Sequence, residues 1–158
     1  MNNKYYTVCG IVEIDSKILL VRHTYGIAKD RILLPGGYVM ENELPTVAVE
    51  REILEETGIV AKAKSIIAMQ FKPDQWCAVF ETEYVSGTPK SDGYENNEVL
   101  LLPAEEAIIR DDITNMSREI LKAYIEKHSS LEKSDYIAKT KKKQGRVLLL
   151  LIKIRISF

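Results

Sequence analysis

Hydrophobic and polar positions change period several times along this chain, and each change marks an element. Tyr5–Ile14 is apolar and rich in β-branched and aromatic residues, as is Lys17–His23. Both read as strands, joined by a tight turn at Asp15-Ser16. Tyr25–Arg31 is a polar connection, and Ile32-Leu33-Leu34 is a short strand stopped by Pro35-Gly36-Gly37. Leu44–Thr57 has helical spacing, with Asn42 expected as N-cap, Pro45 in the first turn and Gly58 as the left-handed stop. Val60–Phe71 and Gln75–Val85 read as strands around Lys72-Pro73-Asp74. A polar loop, Ser86–Asn97, precedes a strand at Glu98–Leu102. Pro103 opens a short helix to Ile109, and Ile113–Lys127 is a further amphipathic helix.

The helix over 44–57 carries the chemistry. Glu52, Glu55 and Glu56 fall within an arc of roughly 100° on one face. Like charges at this spacing oppose each other, so the face calls for a cation. Carboxylate oxygens suit Mg²⁺ or Mn²⁺, which take a few carboxylates, water and phosphate oxygens. Leu44, Val47 and Leu54 form one apolar stripe, and Val49 with Ile53 another, which predicts a helix held between two layers. Arg51 can fix a glutamate through a bidentate contact. Gly36-Gly37 lets the backbone approach a metal or phosphate.

Composition narrows the setting. The chain has 158 residues, enough for one domain with its own core, and is 46% apolar and 28% charged. The net charge of −1 hides an asymmetry. Residues 139–158 carry seven bases and no acid, leaving 15 bases against 23 acids, or −8, in residues 1–138. We therefore expect a domain at 1–138 and a basic, apolar tail at 139–158. An acidic body argues against nucleic acid as the main partner, and suits a small phosphorylated substrate only if metal neutralises the site. In the tail, Ile152, Ile154, Ile156 and Phe158 alternate with Lys153, Arg155 and Ser157. This alternation is open to three readings: strand pairing in a homodimer, a membrane-surface contact, or an extension without function. Cys9 and Cys77 lack metal-binding spacing and read as buried free thiols. The N-terminus MNNKYYTVCG lacks an apolar signal core, and the apolar run Val147–Ile152 is too short to span a bilayer, so a cytoplasmic location is expected without membrane partners.

The segment from Gly37 to Ile59, GYVMENELPTVAVEREILEETGI, resembles the box of the Nudix hydrolases, G-x5-E-x7-R-E-U-x-E-E-x-G-U, with U a bulky aliphatic. Gly37, Glu43, Arg51, Glu52, Ile53, Glu55, Glu56, Gly58 and Ile59 keep every spacing. At about 7% usage, seven fixed positions match by chance with odds of order 10⁻⁸. The box covers 23 of 158 residues.

The resemblance implies an α/β/α sandwich around a mixed sheet, with the box helix on one face. It also implies Mg²⁺-dependent hydrolysis of a pyrophosphate bond in a nucleotide-type substrate, with Mn²⁺ as a possible substitute. Metal ligands would be Glu52, Glu56, Glu55 and the Gly37 carbonyl. Arg51 would orient the glutamates, and Glu43 would be structural. The general base would be Glu55 or Glu52, or downstream Glu98 with Glu95 behind it. Arg22 stands where the family often contacts substrate phosphate. Gly36 and Gly37 would bind substrate with it, and Trp76 or Phe71 could stack on a base or fill core. His23 and His128 read as structural or surface residues. Pro73 lies fourteen residues past the box, near a proline of ADP-sugar members, but off the usual offset. A nucleotide sensor without turnover and a hydrolase of RNA 5′ ends are the alternatives. Serine or cysteine nucleophile patterns and phosphate-binding glycine motifs are absent.

Overall fold

The computed structural model describes residues 5–126, 130–133 and 148–153. The first hairpin joins β1 (Tyr5–Ile14) to β2 (Lys17–His23) through Asp15 and Ser16, both at positive φ (49° and 61°), a two-residue turn suited to strand twist. β3 (Ile32–Leu33) and β4 (Gly36–Tyr38) follow, then α1 (Pro45–Thr57), β5 (Ile59–Phe71), β6 (Gln75–Gly87) and β7 (Asn96–Leu102). α2 (Ala104–Ile109) and α3 (Asn115–Ile125) precede β8 (Ser130–Lys133) and β9 (Leu148–Lys153).

The described strands run in the order β3-β2-β1-β6-β5-β9-β8, with β4 also on β1 and β7 on β2. β1 and β6 are parallel from Tyr5↔Gln75 to Val12↔Thr82, which makes the sheet mixed. β1 meets β2 only beside the turn, at Glu13↔Ile18 and Ile14↔Lys17, and meets β4 nearer its start. Alternation along the strands then builds two cores. Val8, Val12, Ile59, Ala61 and Phe80 pack under Ala48, Val49 and Ile53 of α1. Ile11, Ala68 and Val79 face the opposite way and pack with Ile113, Ile120 and Leu121. The result is the expected α/β/α sandwich with α1 on one face.

Several boundaries differ from the sequence reading. Asn42 is not the N-cap of α1; it takes φ 63° in the preceding turn, and Leu44 occupies the cap without a side-chain hydrogen bond. Pro45 at the first helical position needs no donor, and Glu43 ties the turn instead by accepting from Met40 N at 2.9 Å. Gly58 ends the helix at φ 69°, as expected. Pro35-Gly36-Gly37 does not simply stop a strand, because Gly36–Tyr38 pairs with Cys9–Thr7 as β4. α3 begins after Thr114, whose hydroxyl accepts from Ser117 N; Ile113 is fully buried and bridges to Ile32.

The two-layer expectation for α1 fails. Leu44, Val47 and Leu54 are 66%, 51% and 48% exposed, so only the Val49–Ile53 side meets the sheet. Cys9 and Cys77 are free thiols. Cys77 is buried as expected, but Cys9 is only half-buried at the edge of the core, its thiol pushed well up by the Cys77 thiol and by desolvation. In the tail, β9 pairs antiparallel with β5, Ala68 opposite Leu151, and with β8. The alternation over Ile154, Ile156 and Phe158, the run Lys141–Lys143 and His128 lie outside the described residues. No described helix is long and apolar enough to cross a membrane.

Candidate active site

β4 runs directly from the tight turn into the approach to α1, so its glycines and the acidic face of the helix meet. Gly37 has no room for a side chain: a Cβ there would lie 2.6 Å from the Glu52 carboxyl carbon and from both its oxygens. Gly36 is equally constrained, since a Cβ would lie 2.1 Å from the Val8 carbonyl oxygen. Its N–H donates to Glu56 Oε2 at 2.9 Å.

Arg51 organises the glutamates. Its Nε donates to Glu43 Oε1 at 2.8 Å and Nη2 to Glu43 Oε2 at 2.9 Å. Nη1 donates to Glu52 Oε1 at 2.8 Å and Glu55 Oε2 at 3.0 Å, and Nη2 also reaches the Tyr38 carbonyl at 3.0 Å. The planar fork suits this multiple contact in a way that an ammonium would not. The guanidinium holds the Glu43 carboxyl down to about 2. Burial pushes Glu52 up in spite of Arg51.

Glu56 is the deepest of the set, 2% exposed. Burial raises its carboxyl above the usual range, against the nearby His23 imidazole and the Gly36 N–H. Its Oε1 stands 3.5 Å from His23 Nε2, and both atoms are buried without a hydrogen-bond partner. His23 therefore faces the box rather than the surface. Tyr25 stacks on its ring, centroids 5.4 Å apart at 18°, and donates from Oη to Glu95 Oε2 at 3.1 Å. Glu95 is close enough for its charge to raise Glu56.

A hard divalent cation fits this arrangement. Oxygen donors dominate, Glu56 keeps an unpartnered buried oxygen, and Gly37, lacking a Cβ, lets the Glu52 carboxylate lie against the backbone. Among the described residues no three acidic, imidazole or thiol groups converge on one point. Arg51 draws Glu52 and Glu55 toward Glu43, while Glu56 turns to His23 and Gly36. Such a site suits an ion that keeps waters and takes phosphate oxygens as well as carboxylates.

The NUDIX domain family pattern matches residues 4–124. The chain belongs to the Nudix family. Over 68 residues it is 44% identical to an ADP-ribose pyrophosphatase of Methanocaldococcus jannaschii, covering 43% of this chain and 40% of that protein. The match thus spans under half the length of that curated relative. Among solved structures, a Nudix hydrolase of Nitrosomonas europaea superposes with TM-score 0.73 at 26% identity, over 80% of this chain and 73% of its own. A MutT protein of Methanosarcina mazei shares the fold, with TM-score 0.67 at 21% identity over 78% and 94% of the two chains.

Not every expected residue of this Nudix domain meets the box. Arg22 Nε donates to Glu98 Oε2 at 2.6 Å, and its Nη1 reaches Asp112 Oδ2 and the Asp30 carbonyl, both at 3.0 Å. Arg22 and Glu98 thus neutralise each other, while the next residue, His23, turns to Glu56. Trp76 is 49% exposed, but its ring neighbours are Tyr6 and Phe71, not the box. Sequence reasoning passed over Tyr25, Asn96 and Asp92, and set His23 aside. None of them belongs to the box pattern, and strand pairing of β2 with β7 is what brings them in, His23 opposite Asn96.

Gly37 offers a clean test of the cradle. The added methyl of Gly37→Ala meets the flexible end of Glu52 rather than backbone, so Glu52 swings aside and the fold survives. We expect a stability loss of about 1 kcal/mol and a turnover loss of about 10–100-fold. Thermal melts alongside steady-state rates separate the two.

Proposed function

We propose that this protein hydrolyses the pyrophosphate linkage of a nucleoside diphosphate joined to another group, with Mg²⁺ as its metal and Mn²⁺ as a substitute. ADP-ribose and related ADP-sugars are the first candidates, on the similarity to the M. jannaschii protein. The observation that carries the reading is the Gly36-Gly37 backbone laid against the Glu56 and Glu52 carboxylates, with one buried Glu56 oxygen lacking a partner inside an intact box. The catalytic unit is residues 1–138.

Glu52 and Glu56 would hold the cation, with Glu55 and the Gly37 carbonyl as further ligands. The cation, when bound, neutralises the diphosphate and lowers the pKa of a water. Arg51 fixes Glu52 and Glu55 in place, and Glu43 fixes Arg51. Gly36 and Gly37 present backbone where phosphate approaches. A carboxylate must take the water's proton, and Glu55 suits this, being 57% exposed with a single side-chain contact to Arg51. Glu95 is the downstream alternative, because Tyr25 ties it to the His23 ring that stands against Glu56, whereas Glu98 is engaged by Arg22.

A single-turnover panel tests the reading: ADP-ribose, nucleotide sugars, NADH, dinucleoside polyphosphates and nucleoside triphosphates, with Mg²⁺ or Mn²⁺. We expect cleavage of the diphosphate-linked members to a nucleoside monophosphate. Binding without cleavage across the panel would make the domain a sensor instead.

A further inference from the structure

The loop between β6 and β7 is acidic and falls outside the box, yet it is tied down at nearly every residue. Asp92 Oδ1 accepts from Tyr94 N at 2.9 Å and Asn96 N at 3.1 Å, and its Oδ2 accepts from Glu95 N at 3.3 Å. Ser91 Oγ donates to the Asn96 carbonyl at 2.8 Å. Thr24, the neighbour of His23, donates from Oγ1 to the Tyr94 carbonyl at 2.7 Å and from N to the Glu95 carbonyl at 3.1 Å. Asn96 is fully buried and donates from Nδ2 to the Glu56 carbonyl at 2.8 Å. The loop is thereby anchored to the last turn of the box helix.

Between these ties stands the half-buried carboxylate of Glu95, steadied by Tyr25 Oη. Three backbone N–H groups converging on a single side chain leave little rotation at residues 94–96. Asp92 itself is exposed, and the contacts it makes are with this loop.

We infer that Asp92 is a positioning residue that, by fixing the turn from Ser91 to Asn96, holds the Glu95 carboxylate against Tyr25, whose ring stacks on the His23 imidazole 3.5 Å from Glu56. The inference rests on the metal-dependent site proposed above and adds a residue that acts on it only through Glu95. Asp92 touches neither cation nor substrate. Outer partners of metal sites typically change affinity or activity by about 10–100-fold when removed.

The test is a double-mutant comparison of Mn²⁺ affinity by calorimetry on the full chain, with single-turnover cleavage of ADP-ribose in parallel. Asp92→Ala should weaken Mn²⁺ binding and lower the rate with little change in KM. Asp92→Asn keeps a side-chain oxygen for the N–H groups and should restore most of both. In a Glu95→Gln background, Asp92→Ala should add nothing further. An equal loss in both backgrounds, or unchanged Mn²⁺ affinity in Asp92→Ala or in Glu95→Gln, would overturn the inference. A wild type that binds Mn²⁺ but cleaves nothing would count against the hydrolase reading, while the affinity comparison would still decide the role of Asp92.

Discussion

Glu56→Gln is expected to lower turnover by about 10²–10³-fold, the usual loss when one preorganised electrostatic group is removed, without destabilising the metal-free protein. The side chain is 2% exposed, so the substitution is isosteric in a tight space. The amide oxygen can accept from Gly36 N, and the amide N–H can donate to His23 Nε2, the orphaned atom opposite. Burial raises the Glu56 carboxyl in the folded state. A raised acid contributes stability that is present below its unfolded value and is lost as pH rises through the folded one. Gln, which cannot ionise, escapes that loss. Melting curves should show the metal-free variant at least as stable as wild type. Added Mg²⁺ or Mn²⁺ should raise the melting temperature of wild type and scarcely move the variant.

Arg51→Ala should have the largest effect on stability. It strips donors from Glu43, Glu52, Glu55 and the Tyr38 carbonyl together. Breaking a buried pair costs about 3–5 kcal/mol, and solvent at a one-fifth-exposed guanidinium reduces this to about 2–3 kcal/mol. That corresponds to roughly 5–10 °C in melting temperature. Arg51→Lys should recover only part, since one ammonium cannot span three carboxylates. The pH dependence carries a signature of the contact. Glu43 is held at about 2 against an ordinary 4.5, so its contribution is fully present above 4.5 and disappears as pH falls toward 2. Denaturant midpoints between pH 5 and 2 should fall more steeply for wild type than for Arg51→Ala.

What could be read in advance was whatever a local pattern encodes. The α1 acid face, the Gly58 stop and the β1–β2 turn depend on neighbours a few residues away, and they stood where expected. The exposed stripe at Leu44, Val47 and Leu54 did not, because periodicity shows that a face is apolar without showing that anything covers it. The site divides along the same line. Gly37, Arg51, Glu52 and Glu56 share one continuous segment, so their spacing alone singled them out as candidates. Glu98 looked well placed by its position before an apolar run, but its register opposite Arg22 decides its partner. His23 and Asn96 reach Glu56, and Glu95 reaches Tyr25, through pairing across about seventy residues, which no local pattern records.

The most direct test of the central claim is single-turnover incubation of ADP-ribose with the full chain, in Mg²⁺, in Mn²⁺ and in EDTA, followed by ³¹P NMR. The two diphosphate resonances should give way to AMP and ribose 5-phosphate with either metal, and persist in EDTA. Cleavage at the same rate in EDTA would contradict that claim, as would intact ADP-ribose bound to the metal-loaded protein.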